Sequence, residues 1–111
     1  MRQYQIDELR RPDYEKLQTY LAENLTSAAI SGIYWLPVDE ELLTDIQTSH
    51  LKKCGPFYVS LHLEETVLTC ELLVRSQQVM RCACIGYVTE AQRNRIIAVV
   101  DAIFEQLDIM T

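Results

Sequence analysis

Phe57, Val59, Leu61 and Leu63 alternate with Tyr58, Ser60, His62 and Glu64. Successive side chains of a strand point to opposite faces, so this period of two predicts a half-buried strand. A strand of that kind must have neighbours to complete its hydrogen bonds and a layer to cover its apolar face. The sequence downstream supplies both. After a turn near Glu64-Glu65, Val67 to Arg75 reads as a second strand, and after a polar break at Ser76-Gln77-Gln78, Val79 to Val88 reads as a third. Connections this short imply antiparallel hairpins.

Thr89-Glu90-Ala91-Gln92 then has the form of a capping box, in which the Thr89 oxygen and the Gln92 side chain satisfy each other's backbone amides. Ile96, Ile97, Val100, Ile103, Phe104 and Leu107 follow as a wide apolar stripe. They predict a helix from residue 90 to about 108, fit to cover the sheet.

Upstream, Pro12 suits the first turn of a helix, with Asp13 and Glu15 near its positive end. Leu17, Leu21, Leu25 and Ala28 carry that helix to about residue 29, where Ser31-Gly32 stops it. Ile33-Tyr34-Trp35-Leu36 reads as a short strand that Pro37 ends or holds at an edge. It can pair at either side of the three-strand meander, with Tyr34 and Trp35 buried as core. Asp39-Glu40-Glu41 opens a second helix through Leu42, Leu43 and Ile46, closed by His50 and Lys52-Lys53, each charge suiting its end of the dipole. Cys54-Gly55-Pro56 breaks it. The order is α-β-α-β-β-β-α. This predicts a single α+β domain over residues 12–111, preceded by a loose lead-in at 1–11, with a mainly antiparallel sheet and helices packed on one face.

The chain has 111 residues, enough for one core without covalent staples. Its net charge of −6 disfavours nucleic acid and anionic membrane surfaces, because both are held by neutralising phosphates. The polar start lacks the apolar segment of a secretory leader, and no apolar run approaches a membrane span, so the expected compartment is the cytoplasm. The four cysteines are then expected as free thiols or ligands rather than disulfides.

Three of those cysteines are placed together by the strand pattern. Cys82 and Cys84 share a face, and matching apolar faces across the hairpin sets Leu72 opposite Cys82 and Cys70 opposite Cys84. The bland reading is that small, apolar thiols let a helix pack close. The chemical reading is a metal or thiol-redox site at Cys70, Cys82 and Cys84, which lacks a fourth ligand. In this register Cys54 falls near the other end of the sheet, His62 on its opposite face, and His50 serves as a helix-end cation.

The opposite face of the sheet carries Tyr58, His62, Leu73, Arg81, Ile85 and Tyr87, with Glu71 diagonal to Arg81. That mixture of Tyr, Arg and aliphatic groups has the composition of a protein interface. Only three glycines occur, none clustered, so no phosphate-gripping loop is present. Ser60 and His62 share a face but no orienting third group is identifiable, and the acid pairs read as helix-start and turn charges. No catalytic residue and no cofactor is assigned. The expected function is a non-enzymatic protein-interaction module, an adaptor or small acidic chaperone-like homodimer whose partner is another protein or itself. The alternatives are the thiol site and a small-molecule pocket near Tyr34, Trp35 and His62.

Overall fold

The computed structural model describes residues 2–110. The alternating segment forms the central strand β4 (Phe57–Leu63), and its partners build an antiparallel sheet around it. These are β1 (Gln3–Ile6), β2 (Thr26–Ser27), β3 (Ile33–Pro37), β5 (Leu68–Glu71), β6 (Leu73–Ser76) and β7 (Gly86–Tyr87). The strand order is β1-β5-β4-β3-β2, with β6 pairing the start of β4 and carrying β7 outside it. Phe57, Val59, Leu61 and Leu63 are all buried, as their alternation requires. Tyr34 and Leu36 pair with Leu61 and Val59, and Cys70 pairs with Leu61, so their side chains join the same apolar face.

Helices α1 (Arg11–Asn24) and α4 (Glu90–Gln106) cover that face, through Leu17 and Leu21 from one and Ile96, Val100, Ile103 and Phe104 from the other. The α+β class, the antiparallel sheet and its helical layer are as the sequence predicts. The capping box of α4 forms as read: Gln92 N–H donates to Thr89 Oγ1 at 3.1 Å, and Thr89 N–H to Gln92 Oε1 at 2.9 Å.

Several elements depart from the pattern. The lead-in is not loose: β1 pairs with β5 along Gln3↔Glu71 to Ile6↔Leu68. Tyr4 is fixed there by donating its hydroxyl to Asp101 on α4 at 2.6 Å. Helix α1 ends at Asn24, not 29, because the β-branched Thr26 leaves the helix to pair with Trp35 in a short hairpin. Strand β3 lies beside β4 with its polar side open, so Tyr34 is core while Trp35 stacks on Tyr58 (centroids 4.7 Å apart) on the half-exposed face. The second strand is split: β5 pairs the end of β4 and β6 its start, with Leu72 between them. Between the pairs Leu61↔Cys70 and Tyr58↔Arg75, two residues of β4 face four of that run, and the even excess of two keeps Cys70, Leu72 and Val74 on the core side.

The largest change concerns the third strand. Only Gly86–Tyr87 is extended and paired, opposite Val74 and Leu73; residues 77–85 form a loop outside the sheet. The cause is local. Ser76 Oγ accepts the amides of Gln78 and Val79 at 3.0 and 3.1 Å, turning the chain out of the ladder as β6 ends. The predicted pairings Leu72 with Cys82 and Cys70 with Cys84 are therefore not made. Likewise Glu71 bonds Arg75 at 2.8 Å rather than Arg81, which projects from the loop. The second helix is also built differently. A 3-10 turn at Glu40–Leu42 precedes a second capping box, Thr44 with Gln47, that starts α2 (Asp45–Ser49); α3 (Leu51–Cys54) continues the same winding.

Candidate metal centre

Two chain segments meet where α3 ends. His50 joins α2 to α3, and the Cys54 N–H donates to the His50 carbonyl at 2.7 Å, a one-turn helical bond. Residues four apart on a helix share a face, so His50 and Cys54 present imidazole and thiol side by side. From the other direction the loop brings Cys82-Ala83-Cys84. Ile85 N–H donates to the Cys82 carbonyl at 3.0 Å, closing a tight turn that holds both thiols toward the helix end. One ligand atom each from His50, Cys54, Cys82 and Cys84 lies within 4.8 Å of the others.

The spacing matches a tetrahedron. Zn–S bonds of about 2.3 Å and Zn–N bonds of about 2.0 Å, at tetrahedral angles, place two sulfurs about 3.8 Å apart and a sulfur and nitrogen about 3.5 Å apart. Here Cys54 Sγ to Cys82 Sγ is 3.8 Å, His50 Nδ1 to Cys82 Sγ is 3.2 Å, and His50 Nδ1 to Cys54 Sγ is 3.8 Å. Three thiols and one imidazole are a donor set for a thiolate-preferring d10 cation, and four protein ligands leave no open position.

The surroundings fix these ligands. Of the five buried polar residues among the described residues, Gln47, Ser76 and Gln92 all serve this corner. Gln47 Nε2 donates to the Cys84 carbonyl at 3.1 Å, while its Oε1 accepts from Thr44 N–H at 3.0 Å and from Gln92 Nε2 at 2.9 Å. Gln92 Nε2 also donates to the Leu42 carbonyl at 3.0 Å. The two capping-box glutamines thus join the start of α2 to the start of α4 and hold the Cys84 backbone between them. Ser76 Oγ donates to the Cys54 carbonyl. Gly55 is required here, since a Cβ would lie 2.4 Å from the Leu51 carbonyl oxygen.

Protons are divided unequally in the cluster. The Cys84 backbone amide, then its thiol, then His50 and Cys54 hydrogen-bond to Cys82 and lower its pKa to about 6. Burial pushes Cys84 up to about 12, and its hydrogen bonds to Cys82 and Cys54 add to this. A cation bound by these thiols must displace the protons they still carry.

Cys70 lies elsewhere. It pairs with Leu61 and Tyr4 inside the sheet, and burial, followed by the charge of Glu71, raises its pKa to about 12. Its place is that of a packed small side chain. The structure therefore brings together two of the three thiols the sequence grouped, excludes the third, and adds His50 and Cys54. The signal for His50 and Cys54 was their spacing, His-x3-Cys directly before a Gly-Pro break. The signal was masked because a Cys-x-Cys pair on a straight strand points away from a helix end, and only the Ser76 turn reverses that.

The other sequence candidates are dispersed. Tyr58, His62 and Leu73 lie half-exposed on the open sheet face with Tyr87, over whose ring Arg2 sits at 4.7 Å; Arg81 and Ile85 belong to the loop. The hollow at His62, about 280 Å³, is lined by Gln3, Gln5, Glu64, Thr69 and Glu71, without Tyr34 or Trp35. Among the described residues, no helix is long and apolar enough to cross a membrane. Comparison of the chain with family models, with curated proteins and with solved structures gives no match.

Proposed function

We propose that this chain is a zinc-binding protein, with His50, Cys54, Cys82 and Cys84 as a closed, non-catalytic centre. The observation that carries the reading is the convergence of one imidazole and three thiols at tetrahedral separations. A four-ligand site has no position for substrate, so its work is structural: it ties the loop of residues 77–85 to α2 and α3, where the sheet offers that loop no ladder. Structural zinc sites in small domains contribute folding free energy outright, about 10–16 kcal/mol in isolated finger peptides. A domain with its own sheet core needs only a fraction of that to hold one loop.

The test is elemental analysis of protein purified under reducing conditions. One zinc per chain is expected, retained by a Cys70→Ser variant and lost by Cys84→Ser. Cobalt substitution should give the visible d–d bands of a tetrahedral thiolate site. A chain that carries no zinc, and takes none up from a zinc-buffered solution, overturns the reading.

A second reading concerns the same molecule's other side. The stacked, half-exposed Trp35 and Tyr58 next to His62 favour a protein contact on the open sheet face, with self-association as a homodimer. The metal centre would then act as a staple within an interaction module. Light scattering of Tyr58→Glu against the parent chain checks it: an unchanged mass counts against self-association through this face.

A further inference from the structure

We propose that the centre is also a peroxide-responsive switch, in which Cys54 and Cys82 join as a disulfide and the metal leaves. This rests on the zinc reading. Three observations select the pair. Their sulfurs are in contact at 3.8 Å, so bond formation needs a shift of under about 2 Å. Cys82 is the half-exposed member of the three thiols, whereas Cys54 and Cys84 are 1% and 2% exposed, so an oxidant in solvent meets Cys82 first. The residues that must move also differ in constraint. Cys84 is held through its carbonyl by buried Gln47, and Cys54 by the helix end and Ser76. Cys82 lies in the loop that the sheet leaves unpaired. Joining Cys82 to Cys84 instead would close a ring within the Cys82–Ile85 turn and distort its 3.0 Å hydrogen bond.

The step balances with hydrogen peroxide as the oxidant. The Cys82 sulfur attacks one peroxide oxygen, the O–O bond breaks, and the departing hydroxide takes a proton to become water. Cys54 then attacks the Cys82 sulfenic sulfur, forming the S–S bond and releasing the second oxygen as water. Two thiolates are oxidised by two electrons and one peroxide is reduced to two waters, with two protons consumed. Zinc, left with Cys84 and His50, loses two of four ligands and dissociates, and Cys84 takes a proton. Two thiols of a reductant then cleave the Cys54–Cys82 bond by exchange, returning both protein thiols and leaving the reductant as its disulfide, so that zinc can rebind.

The experiment treats zinc-loaded full-length protein with hydrogen peroxide, follows released zinc with a chromogenic chelator, and maps thiols by non-reducing peptide mass spectrometry. One zinc released per chain is expected, with Cys54 linked to Cys82, Cys84 and Cys70 recovered as thiols, and zinc binding restored by reductant. A zinc-loaded protein that keeps its metal overturns the switch and leaves the zinc reading intact. So does one that loses its metal with Cys82 converted only to sulfinic or sulfonic acid, or linked to Cys84. A protein that never holds zinc yet forms the Cys54–Cys82 link refutes the metal reading and leaves the disulfide standing. A Cys84→Ser variant separates the two further: it should still form the disulfide, since Cys84 takes no part in the bond.

Discussion

Replacing Gln47 by Leu removes one side chain that spans the centre's support. Leucine is close in size to glutamine and suits a buried helix position, so the perturbation is the loss of polar contacts. Three disappear: those to Thr44 N–H, to Gln92 Nε2 and to the Cys84 carbonyl. Gln92 Nε2 keeps its bond to Leu42, so it is not orphaned. Thr44 N–H and the Cys84 carbonyl lose their side-chain partner, at about 1–3 kcal/mol for each unsatisfied group. Burial of the leucine offsets about 2 kcal/mol of this, leaving a net cost of at most about 4 kcal/mol. For a chain of this length that lowers Tm by up to roughly 16 °C. The Cys84 carbonyl belongs to a ligand, so zinc affinity falls too, by about 10–100-fold as for other supporting contacts. That factor corresponds to about 1.4–2.7 kcal/mol. Two assays read the two effects: thermal melts of metal-free protein, and competition for zinc against a chromogenic chelator. If affinity stays within about twofold of the parent while Tm falls, the network holds the fold and not the centre, and the reasoning from Cys84 fails.

Other outcomes follow from the same geometry. Chelation of zinc should raise amide exchange across residues 77–85 while leaving β4 and β5 protected, and uniform loosening of the sheet would contradict a local staple. Because Arg10 hydrogen-bonds and pairs with Asp13, the carboxyl pKa is held below its usual value. The folded state therefore gains stability above the carboxylate range and loses it as pH falls through the lowered value. An Asp13→Asn variant should flatten that acid limb of a Tm–pH curve. Tyr4 is raised to about 12, chiefly by its hydrogen bond to Asp101, so its contribution is full below pH 10 and is lost as pH rises toward 12. Tyr4→Phe should expose β1 to faster exchange and remove a late-titrating phenol from the ultraviolet titration.

How much was legible in the sequence depends on whether a signal was local. The alternation of Phe57–Leu63 and the Thr89-x-x-Gln92 box are complete within a few residues, and β4 and the start of α4 form as read. Their apolar faces had to meet, which settled the α+β class. The run from Val79 to Val88 was ambiguous by nature. Its residues have strand propensity, yet propensity for a strand is realised only where a partner ladder exists. The Ser76 hydroxyl, bonded to Gln78 and Val79 amides and to the Cys54 carbonyl, decided against it.

The site divides along the same line. Sequence by itself determined that Cys82 and Cys84 stand together, a short-range matter of spacing; it contained the His50-x3-Cys54 spacing too, but the Gly55-Pro56 break read as ending the helix before Cys54, whereas the winding runs through it. The sequence also contained both capping-box glutamines. Only the tertiary structure decided that Gln47 and Gln92 bond to each other, that the loop folds back to the end of α3, and that Cys70 stays behind in the sheet. The first two choices link residues more than twenty positions apart, and they depend on which buried polar groups can be satisfied together. A pairwise pattern cannot rank such arrangements; the packed corner, where each polar group has found its partner, does.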